Sequence, residues 1–414
     1  MKKVPRLRFR GFQEDWELCK LGDVANYRNG KAHEQVEDED GKYTIINSKF
    51  ISTNGKVQRY TNEQVEPIFD GEIAMVLSDL PNGKALAKLF LVKEDGKYTL
   101  NQRIAGITPK ENINPIFLNF RMNRNSYFLK FDSGVTQTNL AKSQVENFVA
   151  LYPTFDEQYK IGLFFTQLDN TITLHQRKLY QLKELKKAYL KAMFVSMNTK
   201  NNKVPKLRFT DFEGDWEHRK LDDSIKVMDG DRGANYPHDT DFFKDGDTLF
   251  LDTGNVTKNG FKFDSVKYIT NEKDEQLRAG KLEKNDFVLT SRGTLGNVGF
   301  YDEVVYNLHP KIRINSAMLI LRNTDEQLSY SYLHTLLKGQ LISDFMKKNQ
   351  VGSAQPHITK SEFLKLNLNV PCNINEQNKI GNFFKSLDVT ITLHQNKLEQ
   401  LKDLKTSYLQ NMFI

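Results

Sequence analysis

The chain has 414 residues, 39% apolar and 11% aromatic, and its 59 basic against 52 acidic side chains give a formal charge of +7. That length allows two or three domains with cores of their own, and so modest a charge permits a polyanionic partner without requiring one. Cys19 and Cys372 fall in opposite halves, which excludes a disulfide framework or a cysteine zinc site and fits a reducing cytosol. No apolar run reaches the ~20 residues of a membrane span, and the basic start MKKVPRLRFR lacks the apolar stretch of a signal peptide.

In chain order, the opening KVPRLRFRGFQEDWELCKLGD from Lys3 leads into strands predicted at 43–52, 71–78, 84–92 and 99–108. A helix follows at 114–133, then a polar, hairpin-like stretch at 134–148 and a long helix from Asp156. The polar linker MNTKNN (197–202) precedes a second opening, KVPKLRFTDFEGDWEHRKLDD, from Lys203. Strands are predicted again at 247–256, 285–293, 296–302 and 315–323, with a helix at 329–349, a polar, hairpin-like stretch at 351–366 and a last helix from Asn375. Gln137 aligns with Gln355, and Lys142-Ser143 with Lys360-Ser361. The variable segments therefore share a fold while their loops differ.

The chain thus says the same thing twice, and repeats fix architecture. The segment Asp156–Phe194 recurs at Asn375–Phe413, offset by 219 residues without a gap and about two-thirds identical. Its apolar residues Ile161, Phe165, Leu168, Ile172, Leu179, Leu182 and Tyr189, with the polar His175, keep a heptad seam. Ile380, Phe384, Leu387, Ile391, His394, Leu398, Leu401 and Tyr408 repeat it, and Lys186 and Lys405 are a second polar pair. Each helix is ~58 Å long at ~1.5 Å per residue and must bury its stripe. Pairing of the two copies is expected, antiparallel because a globular segment separates them; a coiled coil between chains is the alternative. The expected fold is mixed α/β (α+β): two variable domains, at 1–155 and 198–374, and two long helices, at 156–197 and 375–414, forming an antiparallel coiled coil with internal pseudo-two-fold symmetry.

Catalytic motifs are missing. There is no GxxxxGK[ST] loop and no HExxH spacing. NPIF (114–117) departs from the adenine-methyltransferase pattern [DNS]PP[FYW] at Ile116 and opens an amphipathic helix. The glycine-rich LTSRGTLGNVGF lies between strands and reads as a turn. His175 and His394 read as seam residues that set register, not as metal ligands.

The order variable domain, long helix, variable domain, long helix resembles the specificity subunit of type I restriction-modification systems. The resemblance rests on the two LD..I..HQ.KL.QLK.LK..YL..MF helices, on the openings PRLRF..F...W and PKLRF..F...W, and on DGDRGANYP (229–237) followed by FLDTGNV and FVLTSRGTLGNVGF. It covers essentially the whole chain. It implies a non-catalytic, cytoplasmic subunit whose two target-recognition domains each read half of a split, asymmetric sequence in double-stranded DNA. It also implies that the helices act as a spacer and dock two methyltransferase (modification) subunits, which two restriction (helicase-nuclease) subunits join. S-adenosylmethionine, ATP and Mg would sit on those partners, with no cofactor or metal in this chain. A self-sufficient methyltransferase and a sequence-indifferent DNA-bridging scaffold are the rival readings.

Arginine suits guanine edges and Asn or Gln adenine edges, whereas Lys and Ser mostly hold phosphates. In the first domain the candidate DNA contacts are Ser78, Asp79, Asn82, Lys84, Gln102, Arg103, Gln137, Thr138, Asn139 and Lys142. In the second they are Arg232, Asn235, Ser291, Arg292, Thr294, Gln355, His357 and Lys360, with Lys142 and Lys360 assigned to phosphate. The outer helix face is as well repeated as the seam, so Lys183 and Lys402 are expected to mark two equivalent docking surfaces.

Overall fold

A computed structural model describes residues 4–33, 35–81, 83–195, 203–352 and 356–413. The expected linker at 197–202 lies outside the described residues, as do the candidate contacts Asn82 and Gln355. The chain divides into two compact units, Met1–Arg177 with Asn396–Ile414, and Lys178–Gln395. Each long helix, Phe155–Ala192 and Ile374–Met412, contributes to both.

In the first unit, an antiparallel sheet runs in the order Ala25–Asn29, Ile104–Pro109, Ile73–Val76, Leu89–Leu91. The Ile73–Val76 strand is buried on both faces, with side chains alternating between two cores. Ile73 and Met75 point into one core with Trp16, Phe117 and Phe165, and Ala74 and Val76 into another with Phe50 and Leu100. A second sheet sets Tyr43–Ile46 parallel to Tyr98–Leu100. The second unit repeats the plan. Its sheet runs Ile225–Asp229, Met318–Asn323, Phe287–Thr290, Val298–Phe300, and Thr248–Leu251 lies parallel to Ile312–Ile314.

Several expected elements end earlier or pair differently. The strand 43–52 stops at Ile46, and Asn47 caps a helix at Ser48–Ser52 by accepting from the Phe50 N–H at 2.8 Å. The helix 114–133 breaks after Met122, where Arg124 turns to φ 50° and Asn125 caps Ser126–Leu129. The helix 329–349 breaks at Gly339. The stretch 134–148 is no hairpin: Thr138–Asn139 pairs with distant Ser78–Asp79, and a helix occupies Lys142–Glu146. Asn114 of NPIF is a helix cap, its Oδ1 accepting from the Ile116 and Phe117 N–H groups at 3.0 Å each. The LTSRGTLGNVGF run turns between two paired strands, with Gly293 and Gly296 at φ 71° and 82°.

The repeated bookends form one scaffold in each unit. Arg8 of the first opening pairs with buried Glu157 at the start of the first long helix, at 2.7 Å. Arg208 pairs with buried Glu376 at 2.7 Å. The neighbouring glutamines act alike. Gln158 accepts from the Asn114 N–H and donates to the Pro153 carbonyl, both at 2.9 Å; Gln377 accepts from the Ser329 N–H and donates to the Pro371 carbonyl, both at 2.8 Å. At the far helix ends, the Leu7 N–H donates to the Asn411 carbonyl and the Leu207 N–H to the Ala192 carbonyl, both at 2.9 Å.

Within each unit, segments of the two long helices run antiparallel. In the first unit Phe164 meets Tyr408 edge-on at 5.0 Å, Phe165 stacks on Phe413, and Asp169 pairs with Lys405 at 2.6 Å. In the second Tyr189 meets Phe383 edge-on at 5.1 Å and Lys186 pairs with Asp388. These are the same contacts with the two copies exchanged. Ile161, Phe165, Leu168, Ile172 and Leu182 are buried, as are Ile380, Phe384, Ile391, Leu398 and Leu401. His175, Leu179, Tyr189, Leu387, His394 and Tyr408 are half-buried. The lysines of the seam are salt-bridge partners across the pair, a role the heptad pattern alone does not disclose.

Candidate nucleic-acid interface

Most of the described candidate residues gather at one end of the antiparallel sheet of each unit, which in the first is where the strands ending at Asn29 and Val76 stop and the strand from Ile104 begins. In the first unit, the Leu77 N–H donates to the Arg103 carbonyl at 3.0 Å, and the Leu140 N–H donates to the Leu77 carbonyl at 2.8 Å. This draws the segments around Gln102–Arg103 and Gln137–Asn139 against Ser78–Asp79. Ser78 lies opposite Asn139 and Asp79 opposite Thr138. Gln137 Nε2 donates to Ser78 Oγ at 2.7 Å.

Not every candidate faces outward. Asp79 organises the loop that follows, its carboxylate accepting from the N–H groups of Leu80, Ala85 and Leu86 at 2.9, 2.6 and 3.1 Å. Gly83 permits this, because a Cβ there would lie 2.1 Å from Asp79 Oδ2. Ser78 and Thr138 are buried, whereas Lys84, Gln102, Arg103, Gln137, Asn139 and Lys142 are exposed. Lys142 Nζ sits 5.7 Å from the Tyr27 ring centroid and 3.5 Å from Glu146.

The second unit builds the same frame. The Ser291 N–H donates to the Ala317 carbonyl and the Ile358 N–H to the Ser291 carbonyl, both at 2.9 Å. Arg292 thereby lies opposite His357. Asp229, Arg232, Arg292, His357, Thr359, Lys360 and Ser361 line one cleft, so four of the expected residues come together. Arg232 donates to Asp229 at 3.3 Å and to the Ser316 carbonyl at 3.2 Å. Among the described residues no side-chain hydrogen bond or ion pair holds the exposed Arg292. Ser291 is buried beneath this surface. Thr294 lies in the turn, its carbonyl accepting from the Thr290 hydroxyl. Asn235 stands apart and donates to the Gln276 carbonyl at 3.3 Å.

The loop carrying Arg232 is shaped by Asp231. Burial works to raise that carboxyl's pKa, but the N–H groups of Gly233, Arg278 and Ala279, at 2.6, 2.6 and 3.2 Å, hold it below the ordinary value. Sequence reasoning missed Tyr27 and Asn29, the first unit's counterparts of Val227 and Asp229. A signal existed: Gly30 and Gly230 follow the two opening strands, and a Cβ at either would come within 2.1 or 2.2 Å of the carbonyl oxygen of Asn101 or Asn315.

Lys183 and Lys402 are exposed. Lys183 lines a wide cleft of the second unit with Lys187, Lys191, Lys338 and Lys348 over an apolar floor that includes Leu190 and Phe345. Exposed leucines also recur at matching positions of the long helices, Leu174 with Leu393 and Leu185 with Leu404. Among the described residues no group of three or more His, Cys, Asp or Glu is placed to hold a metal ion, and no helix is long and apolar enough to cross a membrane.

Known proteins share this architecture. The profile of the type I restriction modification DNA specificity domain matches residues 13–184 and 213–403. The type I restriction enzyme MjaVIII specificity subunit of Methanocaldococcus jannaschii is 22% identical over 402 residues, covering 95% of this chain and 90% of that one. A crystal structure of a type I restriction-modification S subunit from M. genitalium matches with TM-score 0.61 at 14% identity, over 99% of both chains. A chain from a structural study of complex assembly and conformational transition of the type I R-M system matches with TM-score 0.54 at 14% identity, over 95% of this chain and 96% of that one. The chain belongs to the type I restriction modification DNA specificity family and carries its domain twice. Its function is DNA sequence specificity, as a non-catalytic specificity subunit.

Proposed function

We propose that each unit reads one half of a two-part, asymmetric DNA sequence, and that the paired helices set the gap between the halves and dock two methyltransferase subunits. Two restriction subunits join that core in the cytoplasm. S-adenosylmethionine, ATP and Mg belong to the partners, whose chemistry is adenine methylation and DNA cleavage. One observation carries the reading. The two units hold the same backbone frame at the same sheet end, with Gln137, Asn139 and Lys142 on one and Arg292, His357 and Lys360 on the other. One frame with different side chains is what two readers of unrelated half-sites need. Docking is supported by the exposed leucines at positions repeated between the helices, Leu174 with Leu393 and Leu185 with Leu404, which offer two equivalent apolar surfaces.

The test is an exchange. The segment between the first opening and Asp156 is replaced by that of another specificity subunit, and methylated motifs are sequenced from cells expressing the assembled complex. One half-site changes and the other stays. A change in both halves overturns the modular reading.

A further inference from the structure

We infer that the two units use one shared reading position, that Gln137, held by Ser78, reads adenine there in the first unit, and that Arg292 reads guanine there in the second. The inference rests on the two-part reading above and adds which side chains decide, which base each takes, and what holds one of them.

The equivalence comes from the backbone, not from sequence similarity. Leu77 and Ser291 each follow the last residue of a doubly buried strand, and each has both its N–H and its carbonyl engaged by the two neighbouring segments. The next residue is Ser78 in one unit and Arg292 in the other. Opposite it stand Asn139 and His357. Three residues beyond these come Lys142 and Lys360, each opening a short helix. Arg292 thus occupies the place of Ser78 in a matching frame.

Their side chains solve the position differently. Arg292 is long and exposed, among the described residues no carboxylate holds it, and it lies in the cleft lined by Lys360 and His357. A guanidinium offers paired donors that match N7 and O6 of guanine. Ser78 is short and only 5% exposed, so it does not reach a base itself. Its hydroxyl accepts from Gln137 Nε2 at 2.7 Å, while Gln137 stays exposed. One amide hydrogen is consumed in that bond. The other, with Oε1, remains as a donor–acceptor pair that matches N7 and N6 of adenine. Gln137 is therefore the reading residue and Ser78 a positioning residue that fixes the amide before DNA arrives, which lowers the ordering cost of the contact.

The experiment sequences methylated motifs from cells carrying the full complex with Arg292→Gln, Gln137→Ala, Ser78→Ala or Ser78→Thr. Arg292→Gln exchanges guanine for adenine at one position of one half-site. Gln137→Ala relaxes one adenine position in the other half-site, with discrimination falling about tenfold or more. Ser78→Ala relaxes that same position, and Ser78→Thr, which keeps the hydroxyl, leaves it read as in the wild type. A merely structural serine would not act at a single base position. Arg292→Gln, Gln137→Ala and Ser78→Ala only shorten side chains; Ser78→Thr adds a methyl group at a buried site, so recovery of its assembled complex is checked first and Ser78→Ala with Gln137→Ala carries the test. The inference is overturned if Ser78→Ala and Gln137→Ala act at different positions, or if neither acts. It is equally overturned if Arg292→Gln leaves guanine in place or acts on the Gln137 half-site. Loss of all methylation from an assembled complex also counts against it, since relaxed reading leaves more sites methylated. Failure of the two-part reading would show already in the wild-type motif, whereas failure of this inference shows only in the variants.

Discussion

Lys360 and Arg292 line the same cleft, and the proposed reading gives them different work. A lysine at the first turn of a short helix is a point charge suited to phosphate, and phosphates carry no sequence. Lys360→Ala is expected to weaken DNA binding evenly across sequences. It should also lower the slope of log affinity against log salt by about 0.9, the value for one phosphate contact. Binding titrations at several salt concentrations check this, and a change in base preference would contradict it. The exposure of Arg292, Gln137, Asn139 and Lys360 was legible, because long or polar side chains in loops face solvent, whereas the burial of Ser78, Thr138 and Ser291 was not. The match of Ser78 with Arg292 was not, since a serine and an arginine share no sequence signal and only the hydrogen-bonded frame equates them. A second residue-scale expectation concerns His334, which packs on Phe300 and Phe287 at 5.5 and 5.9 Å. Burial, with Lys338 and Lys186 adding to it against Asp388 and Asp302, pushes its pKa down to about 4. The unfolded chain takes up that proton near pH ~6.5. Between these values only the unfolded form binds it, so the second unit loses stability as pH falls from about 6.5 to about 4. Thermal unfolding against pH should show this slope in the wild type and a shallower one in His334→Phe.

At the scale of elements, the long helices were the most legible feature, because an apolar stripe at heptad spacing is what helices wound about one another require. Their anchoring was hidden: Arg8 and Glu157 are 149 residues apart, and no local pattern couples them. The polar stretch at 134–148 was misread for a related reason, as its strand partner at Ser78–Asp79 lies far away in the chain. The helix register makes an insertion experiment sharp. Four residues added after both Gln181 and Gln400 leave Asp169 with Lys405 and Lys186 with Asp388, and lengthen the helices by ~6 Å. The preferred gap between half-sites should grow by about one or two base pairs at ~3.4 Å each. Insertion in one copy alone forces one of the two salt bridges and its neighbouring ring contacts apart, and should lower the unfolding temperature. An unchanged gap from a folded, active double-insertion chain would show that the helices do not set the spacing.

For the whole molecule, duplication is the organising fact. The openings, the helix starts and the helix ends recur because they build the scaffold of each unit, through Arg8–Glu157 in one and Arg208–Glu376 in the other. The segments between diverge because the scaffold does not constrain what they present at the sheet end. A duplicated scaffold with diverged readers calls for two half-sites of unrelated sequence, whereas a single reader or a symmetric pair calls for one continuous or palindromic site. The measurement that separates these is sequencing of the motif methylated in cells that carry this chain with the methyltransferase subunit proposed as its partner. The account predicts two short, unrelated half-sites separated by a fixed gap of unspecified bases. A continuous motif, or a palindromic one, would contradict it.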